Sequence, residues 1–398
     1  MYLNLETVRS ALLSRVTPLP TSRESLWNSL GRVCSETIQA PIHLPPFDSS
    51  AMDGYAVRVE DLVTIPATLN LVGQTTAGDG PGPRLLPGQC QRIFTGAPLP
   101  PGADAVVMQE DVHVDSQNPR MIQFTESVRP WENVRFRGED IAPGAILVPS
   151  GTRLRPQHLA VLAACGFSDV PVHGQPKVTV LANGSELRDP GEALEPGQIY
   201  ESNRLMLHTL LSGAGAISHP IPTVRDDLSD LTAALAQALE RSDLVVTVGG
   251  ASVGEADLAR KAVEALGGTV DFWRIAIRPG KPFFVGTIGS HWVLGLPGNP
   301  VSAFVTAILL VLPVLRRFQG IADCLPPERP GELAEPLNNP GDRDHYARVI
   351  RSPNGHVRLG GQQASHRLAS LAAANGLVRV PASGRLETGA KVQVIGWE

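Results

Sequence analysis

The hydrophobic pattern changes character along the chain, and its most regular stretch lies between Gln175 and about Gln319. Lys177–Ala182 (KVTVLA) and Leu244–Val248 (LVVTV) are short, nearly continuous apolar runs, the pattern of strands buried on both faces. Ile217–Val224 is strand-like, as are segments around Phe272–Ile277, Pro282–Val285 and Trp292–Gly295. Between them apolar residues recur at helical intervals: in Ser202–Leu211, in a segment that Asp226 or Asp227 can cap and that runs to Glu240, in Ala256–Leu266, and after Asn299. Strands alternating with helices predict a parallel sheet covered on both faces. Such sheets bind ligands beyond the carboxyl ends of their strands, and the loops of interest follow strands.

The flanks differ. Met1 to Val16 reads as an amphipathic helix with charges inside it, not as a signal peptide. Pro45 to about Ala142 is rich in Gly, Pro and short alternating runs, which predicts a mainly β domain. Gln157–Ala164 is a short helix. A Pro-rich break at Leu325–Pro340 precedes strand-like segments at Tyr346–Arg351, His356–Leu359, Leu377–Val380 and Lys391–Ile395, enough for a small barrel or sandwich. Val301–Leu315 is apolar but short for a bilayer and contains Pro313, so it reads as a buried core helix.

With 398 residues, several domains are expected. Hydrophobic residues make up 42%, enough for packed cores, while aromatic residues are 5% and the net charge is −5. That balance argues against nucleic acid and anionic membranes as partners. An anionic ligand must then be held by a local cluster or a metal. Cys34, Cys90, Cys165 and Cys324 are scattered without a Cys-x-x-Cys pair, which predicts a reducing, cytoplasmic setting and neither a zinc site nor a disulfide framework.

Seven segments carry candidate chemistry. Pro45–Val57 (PPFDSSAMDGYAV), Phe94–Pro98 with Gly102–Val107, and Arg137–Ile141 (RGEDI) each read, alone, as an ordinary turn, hairpin or solvated loop. Asn183-Gly184-Ser185-Glu186 follows the KVTVLA strand. Its carboxylate suits a metal-bound ligand and equally suits a helix cap. Gly249–Asp257 (GGASVGEAD) follows LVVTV. Its small residues let backbone N–H groups approach an anion, and its acidic pair favours a metal-assisted site over a bare phosphate nest. Arg278-Pro279-Gly280-Lys281-Pro282 holds two cations in a stiff turn, which favours an oxyanion contact over solvation. Gly295–Ser302 (GLPGNPVS) ends a strand and opens a helix with Asn299 as cap and Pro300 at its first position. Glu186, Asp226 and Asp257 thus fall near the strand ends of one sheet, with Arg278 and Lys281 nearby. Carboxylates beside cations suit a ligand that is both phosphorylated and Mg²⁺-bound.

In this order the motifs, with IFTGAPLPPGADAVVMQE and IRPGKP, resemble the molybdopterin molybdenumtransferase (MoeA) family, which includes the E domain of the eukaryotic scaffold protein gephyrin. The similarity runs from Leu5 through the C-terminal segment. It implies a multidomain α/β chain. A central three-layer α/β domain similar to the molybdopterin adenylyltransferase fold would comprise residues 1–22 and 175–320. A connecting domain (23–45 and 143–174), a mainly β domain (46–142) and a C-terminal β-barrel (321–398) would flank it. It implies an elongated homodimer, with the active cleft between the central domain of one copy and the mainly β domain of the other. Asp53, Thr95 and Asp140 would reach in from one copy. Glu186, Asp226, Asp257 and Lys281 would complete the catalytic set, with Glu186 and Asp257 as Mg²⁺ ligands. Gly249, Gly250, Ser252, Gly254, Arg278, Pro297, Asn299, Pro300, Ser302, Arg348 and Ser365 would bind substrate. The implied reaction moves molybdate onto the dithiolene of adenylylated molybdopterin with release of AMP, and implies transient contact with the adenylyltransferase. Two positions depart from the family pattern: Asn183-Gly184-Ser185-Glu186 replaces the usual Thr-Gly-Asp/Asn-Glu, and Arg278 replaces the commoner Lys.

Overall fold

The computed structural model describes residues 2–249 and 256–397, apart from the side chains of residues 256, 257, 272 and 273. Its centre is a six-stranded sheet in the order Ile217–Pro220, Lys177–Ala182, Leu244–Val248, His291–Leu296, Pro282–Ile288, Thr269–Arg274. The first four strands are mutually parallel. Alternate residues of each strand feed two separate cores. Val178, Val180, Val246 and Leu294 face the N-terminal helix Leu5–Leu13, the helix Asn203–Gly213 and the long helix beginning at Pro300. Leu181, Val245, Val293 and Phe284 face the helices Leu228–Leu239 and Ala256–Ala265. Burial on both faces is what made these strands read as unbroken apolar runs.

The expected parallel sheet is corrected at one strand. Pro282–Ile288 runs antiparallel to both neighbours. The links from Arg274 to Pro282 and from Ile288 to His291 are too short for the crossover that a parallel pair requires. The reversal matters, because it puts the start of Pro282–Ile288 beside the carboxyl ends of the parallel strands. The Arg278–Lys281 turn therefore sits on the ligand-binding edge although it precedes its strand. The strand expected over Ile217–Val224 stops at Pro220, and Val224 makes an isolated bridge to Asn183.

The long helix is assembled from Pro300–Thr306, a π-turn at Ala307–Val311 and Leu312–Phe318. Pro313 lacks the N–H that would bond one turn back, and the π-turn precedes it. Taken whole, Pro300–Phe318 is 19 residues long and apolar enough to cross a membrane, so length does not separate the readings; 89% of its apolar window is buried, which does.

Beyond Gly320, five strands close into a barrel: Asp344–Arg351, His356–Leu359, Glu328–Leu333, Lys391–Ile395 and Gly376–Val380, the last pairing back onto the first. Glu328–Leu333 lies inside the stretch read as a Pro-rich break. Its Pro330 sits opposite Gln393 in the ladder to Lys391–Ile395. A two-residue strand, Ile277–Arg278, joins the barrel edge parallel to Asp344–His345, so the cation-bearing turn is hydrogen-bonded to both domains.

Residues between Gly54 and Phe124 form another six-stranded sheet over its own core. Gly54 is obligatory there, because a Cβ would stand 2.0 Å from the Val107 carbonyl oxygen. A further small core gathers Cys34, Ile38, Val148, Leu154, Leu162, Val170 and Val172.

Candidate functional site

A cleft of about 960 Å³ opens between the carboxyl ends of the central sheet and the barrel. Of the positions singled out in the sequence, Glu186, Asp226, Gly249, Arg278, Lys281, Pro297, Asn299, Pro300, Ser302 and Ser365 line it. Asp53, Thr95, Asp140 and Arg348 do not. Gly250, Ser252 and Gly254 lie outside the described residues, as does the side chain of Asp257.

The two aspartates before the Leu228–Leu239 helix have separate jobs. Asp227 is the cap, its carboxylate accepting from the Ser229 and Asp230 N–H groups. Asp226 instead accepts from Asn183 Nδ2 at 2.8 Å and from Ser185 N at 3.0 Å. It therefore fixes the Asn183–Glu186 loop, and both its oxygens are already engaged. Glu186 is exposed on that loop, with a carboxylate oxygen 2.9 Å from where a Gly184 Cβ would stand. Gly249 closes the next strand at φ +114, and a Cβ there would meet the Asn183 carbonyl oxygen at 2.3 Å. Only glycine lets these two strand-end loops touch.

The opposite wall is cationic. Arg278 and Lys281 are exposed, and among the described residues neither pairs with a carboxylate. Gly280 between them has φ +110, and its missing Cβ would lie 2.5 Å from Thr306 Oγ1. Arg343 joins them from the barrel and donates to the Ile277 carbonyl at 3.0 Å. Asn299 occupies the cap position of the long helix, but its side chain makes no capping bond, contrary to the expected role. Pro300 has no N–H, and Val301 N and Ala303 N are taken by the Ser365 and Asn299 carbonyls, so the first turn leaves the Ser302 N–H available to an anion. Ser365 reaches the site on a barrel loop whose carbonyl accepts from Val301 N at 3.2 Å.

Arg348, expected to bind substrate, is completely buried in the barrel. Its guanidinium donates to Ser370 Oγ and to the carbonyls of Gln362 and Ala364, while Nη1 has no partner among the described residues. Within this chain it braces the loop that carries Ser365 rather than facing the cleft. Next to it, His345 is buried against Arg278 and Arg348, and desolvation followed by those charges pushes its pKa down to about 4.

Asp53 and Thr95 form a unit on the mainly β sheet. Asp53 Oδ1 accepts from the Thr95 N–H and hydroxyl, each at 2.8 Å, and these two bonds hold its carboxyl below the usual value. Asp140 is exposed nearby in sequence to the Leu44–Ile141 bridge, where its N–H bonds to the Leu44 carbonyl at 3.1 Å. These groups point from a surface that contributes nothing to the cleft of the same chain.

As for a divalent metal, no cluster of three or more His, Cys, Asp or Glu exists among the described residues. Glu186 is a free carboxylate on the cleft wall, which fits a Mg²⁺ that carries mostly phosphate oxygens and water and takes few protein ligands. Sequence reading missed Asn203, Tyr200, Arg343, Gln363 and His366, all lining the cleft. Arg343 alone had a local signal, the charged Asp-Arg-Asp after Pro340-Gly341.

Comparison with known proteins agrees with this architecture. Residues 3–166 match the MoeA N-terminal region (domain I and II), 179–317 a probable molybdopterin binding domain, and 330–397 the MoeA C-terminal region (domain IV). Molybdopterin molybdenumtransferase of Haemophilus influenzae is 41% identical over 320 residues, covering 80% of this chain and 78% of that protein. Molybdopterin molybdenumtransferase 2 of Mycobacterium tuberculosis is 37% identical over 385 residues, 94% of each. A molybdopterin biosynthesis MoeA protein from Pyrococcus horikoshii superposes with a TM-score of 0.86 at 33% identity over 100% of both chains. With all three family regions matched in order along one cleft-bearing chain, the protein belongs to the MoeA family of molybdopterin molybdenumtransferases.

Proposed function

We propose that this chain inserts molybdenum in cofactor biosynthesis, transferring molybdate to adenylylated molybdopterin with Mg²⁺-dependent release of AMP. One observation carries the reading: one cleft joins two exposed cations, Arg278 and Lys281, to a carboxylate, Glu186, at the ligand-binding edge of the sheet, and among the described residues none of the three side chains is in an ion pair. The cations offset the charge of molybdate. The Ser302 N–H, in the first turn of the Pro300 helix, offers one further donor. Glu186, with Asp257, is the candidate holder of Mg²⁺, which supplies charge neutralisation at the phosphoanhydride when bound. The protein's own share is orientation and electrostatic stabilisation, since the dithiolene sulfurs displace the molybdate oxygens themselves.

Asp53, Thr95 and Asp140 enter this scheme only from a second copy. We therefore propose a homodimer in which the mainly β sheet of one subunit faces the cleft of the other, with transient contact to the adenylyltransferase that delivers substrate. The test supplies adenylylated molybdopterin, Mg²⁺ and molybdate and measures AMP release and metal content of the product. Lys281→Ala should raise the molybdate KM about tenfold or more, the scale of a lost charge-assisted contact. Absence of AMP release by the wild-type chain sinks the proposal.

A further inference from the structure

Tyr2 lies on the extended segment before the Leu5–Leu13 helix and lines no part of the cleft. Its neighbour Leu3 is docked on the sheet domain. Leu3 N donates to the Arg274 carbonyl at 2.8 Å, and Ala276 N donates to the Leu3 carbonyl at 2.9 Å, a parallel bridge to the stretch that leads into the Arg278–Lys281 turn. These bonds fix the backbone beside the cationic wall. The Tyr2 ring, 38% exposed, then has Lys281 Nζ 5.3 Å and Arg343 Cζ 5.8 Å from its centroid.

Those two cations line the cleft from different domains, Lys281 from the turn and Arg343 from the start of the barrel. Both lie within 6 Å of one ring centroid, so their like charges oppose each other's approach, and ordering two long flexible side chains costs conformational entropy. The face of an aromatic ring attracts both. The ring itself takes no hydrogen-bond donor from either: Arg343 Nη1 is already on the Ile277 carbonyl and its Nε lies 3.6 Å from Asp342, while the remaining guanidinium N–H groups and the Lys281 ammonium are left for a ligand. A carboxylate in the same place would neutralise them and occupy those donors.

We propose that Tyr2 is a positioning residue for the oxyanion wall, its ring holding Lys281 and Arg343 together so that both can receive one tetrahedral dianion. The inference rests on the functional reading above for the identity of that dianion as molybdate. The ring, not the hydroxyl, is the working part.

The experiment is calorimetric titration of the full chain with molybdate alone, using wild type, Tyr2→Phe and Tyr2→Ala, alongside steady-state kinetics. Tyr2→Phe keeps the ring and should bind within about twofold of wild type, while Tyr2→Ala should bind about three- to tenfold more weakly. The Ala variant should raise the molybdate KM by the same factor and leave the KM for adenylylated molybdopterin where it was. A purely structural role would instead shift both constants together with the melting temperature, and would overturn the inference. So would Tyr2→Ala binding molybdate as tightly as wild type, or Tyr2→Phe falling as far as Ala. Wild type that binds molybdate but releases no AMP would refute the insertase reading alone, leaving the comparison of variants decisive. Wild type that takes up no molybdate would overturn both.

Discussion

Replacing Gly280 by Ala tests whether the cationic turn is set by backbone geometry and packing together. At φ +110 a non-glycine residue is strained by about 1–3 kcal/mol. The added Cβ would also stand 2.5 Å from Thr306 Oγ1, whose residue is wholly buried and whose hydroxyl makes no hydrogen bond among the described residues. Overpacking of this kind costs about 1–3 kcal/mol more. Gly289, at φ +59 with nothing within 4 Å of its Cβ position, supplies the control. Alanine there meets only the left-handed penalty, about 1–2 kcal/mol. At mid-range the two penalties total about 4 kcal/mol against about 1.5 for the control, a difference of about 2.5 kcal/mol, which is more than tenfold in an opening equilibrium. Because the chain has several cores, one global unfolding energy is not well defined. Amide exchange resolved on the Pro282–Ile288 and His291–Leu296 strands is the right assay. Gly280→Ala should accelerate exchange there at least tenfold over Gly289→Ala, and should raise the molybdate KM by displacing Lys281. Equal exchange in the two variants would refute the reasoning.

Three further outcomes follow from particular contacts. His345 stays neutral when folded down to about pH 4, against 6.5 when free, so the unfolded chain binds the extra proton between these values and stability falls as pH drops from 6.5 to 4; the acid slope of thermal unfolding should flatten in His345→Asn. Thr95→Val removes the hydroxyl donor to Asp53 and keeps the backbone N–H, so the Asp53 carboxyl should titrate closer to 3.8 by carboxyl-carbon NMR, with the stability it lends lost at higher pH than before. Arg204→Met leaves Glu201, 3% exposed, without the guanidinium that it shares with Asp189, and should speed amide exchange in the Asn203–Gly213 helix about a hundredfold, the scale of about 3 kcal/mol.

The central strands were legible because burial on two faces writes itself as an apolar run. The direction of Pro282–Ile288 was not read, because a run looks alike in either direction; only the length of its connections decides. Glu328–Leu333 was hidden by its proline, and its membership of the barrel depends on a partner some sixty residues away, Lys391–Ile395. In the site, glycines and prolines marked the strand-end loops well. The division of labour between Asp226 and Asp227 was undecidable, since either can precede a helix. Arg343 and His366 belong to a domain whose approach to the sheet no local pattern encodes, and Arg348 was expected among the ligands from the family resemblance alone, which says nothing of its burial.

The strand Ile277–Arg278 has a mechanical meaning. It is covalently part of the sheet domain, yet its ladder partners are Asp344 and His345 of the barrel. Were the two bodies to swing apart, the gap could not widen at this seam without tearing those bonds, so Arg278 would travel with the barrel while Glu186 stayed behind. Excising the barrel would likewise strip the anion wall of its scaffold, and grafting another family member's barrel would succeed only with a matching Ile277–Lys281 segment.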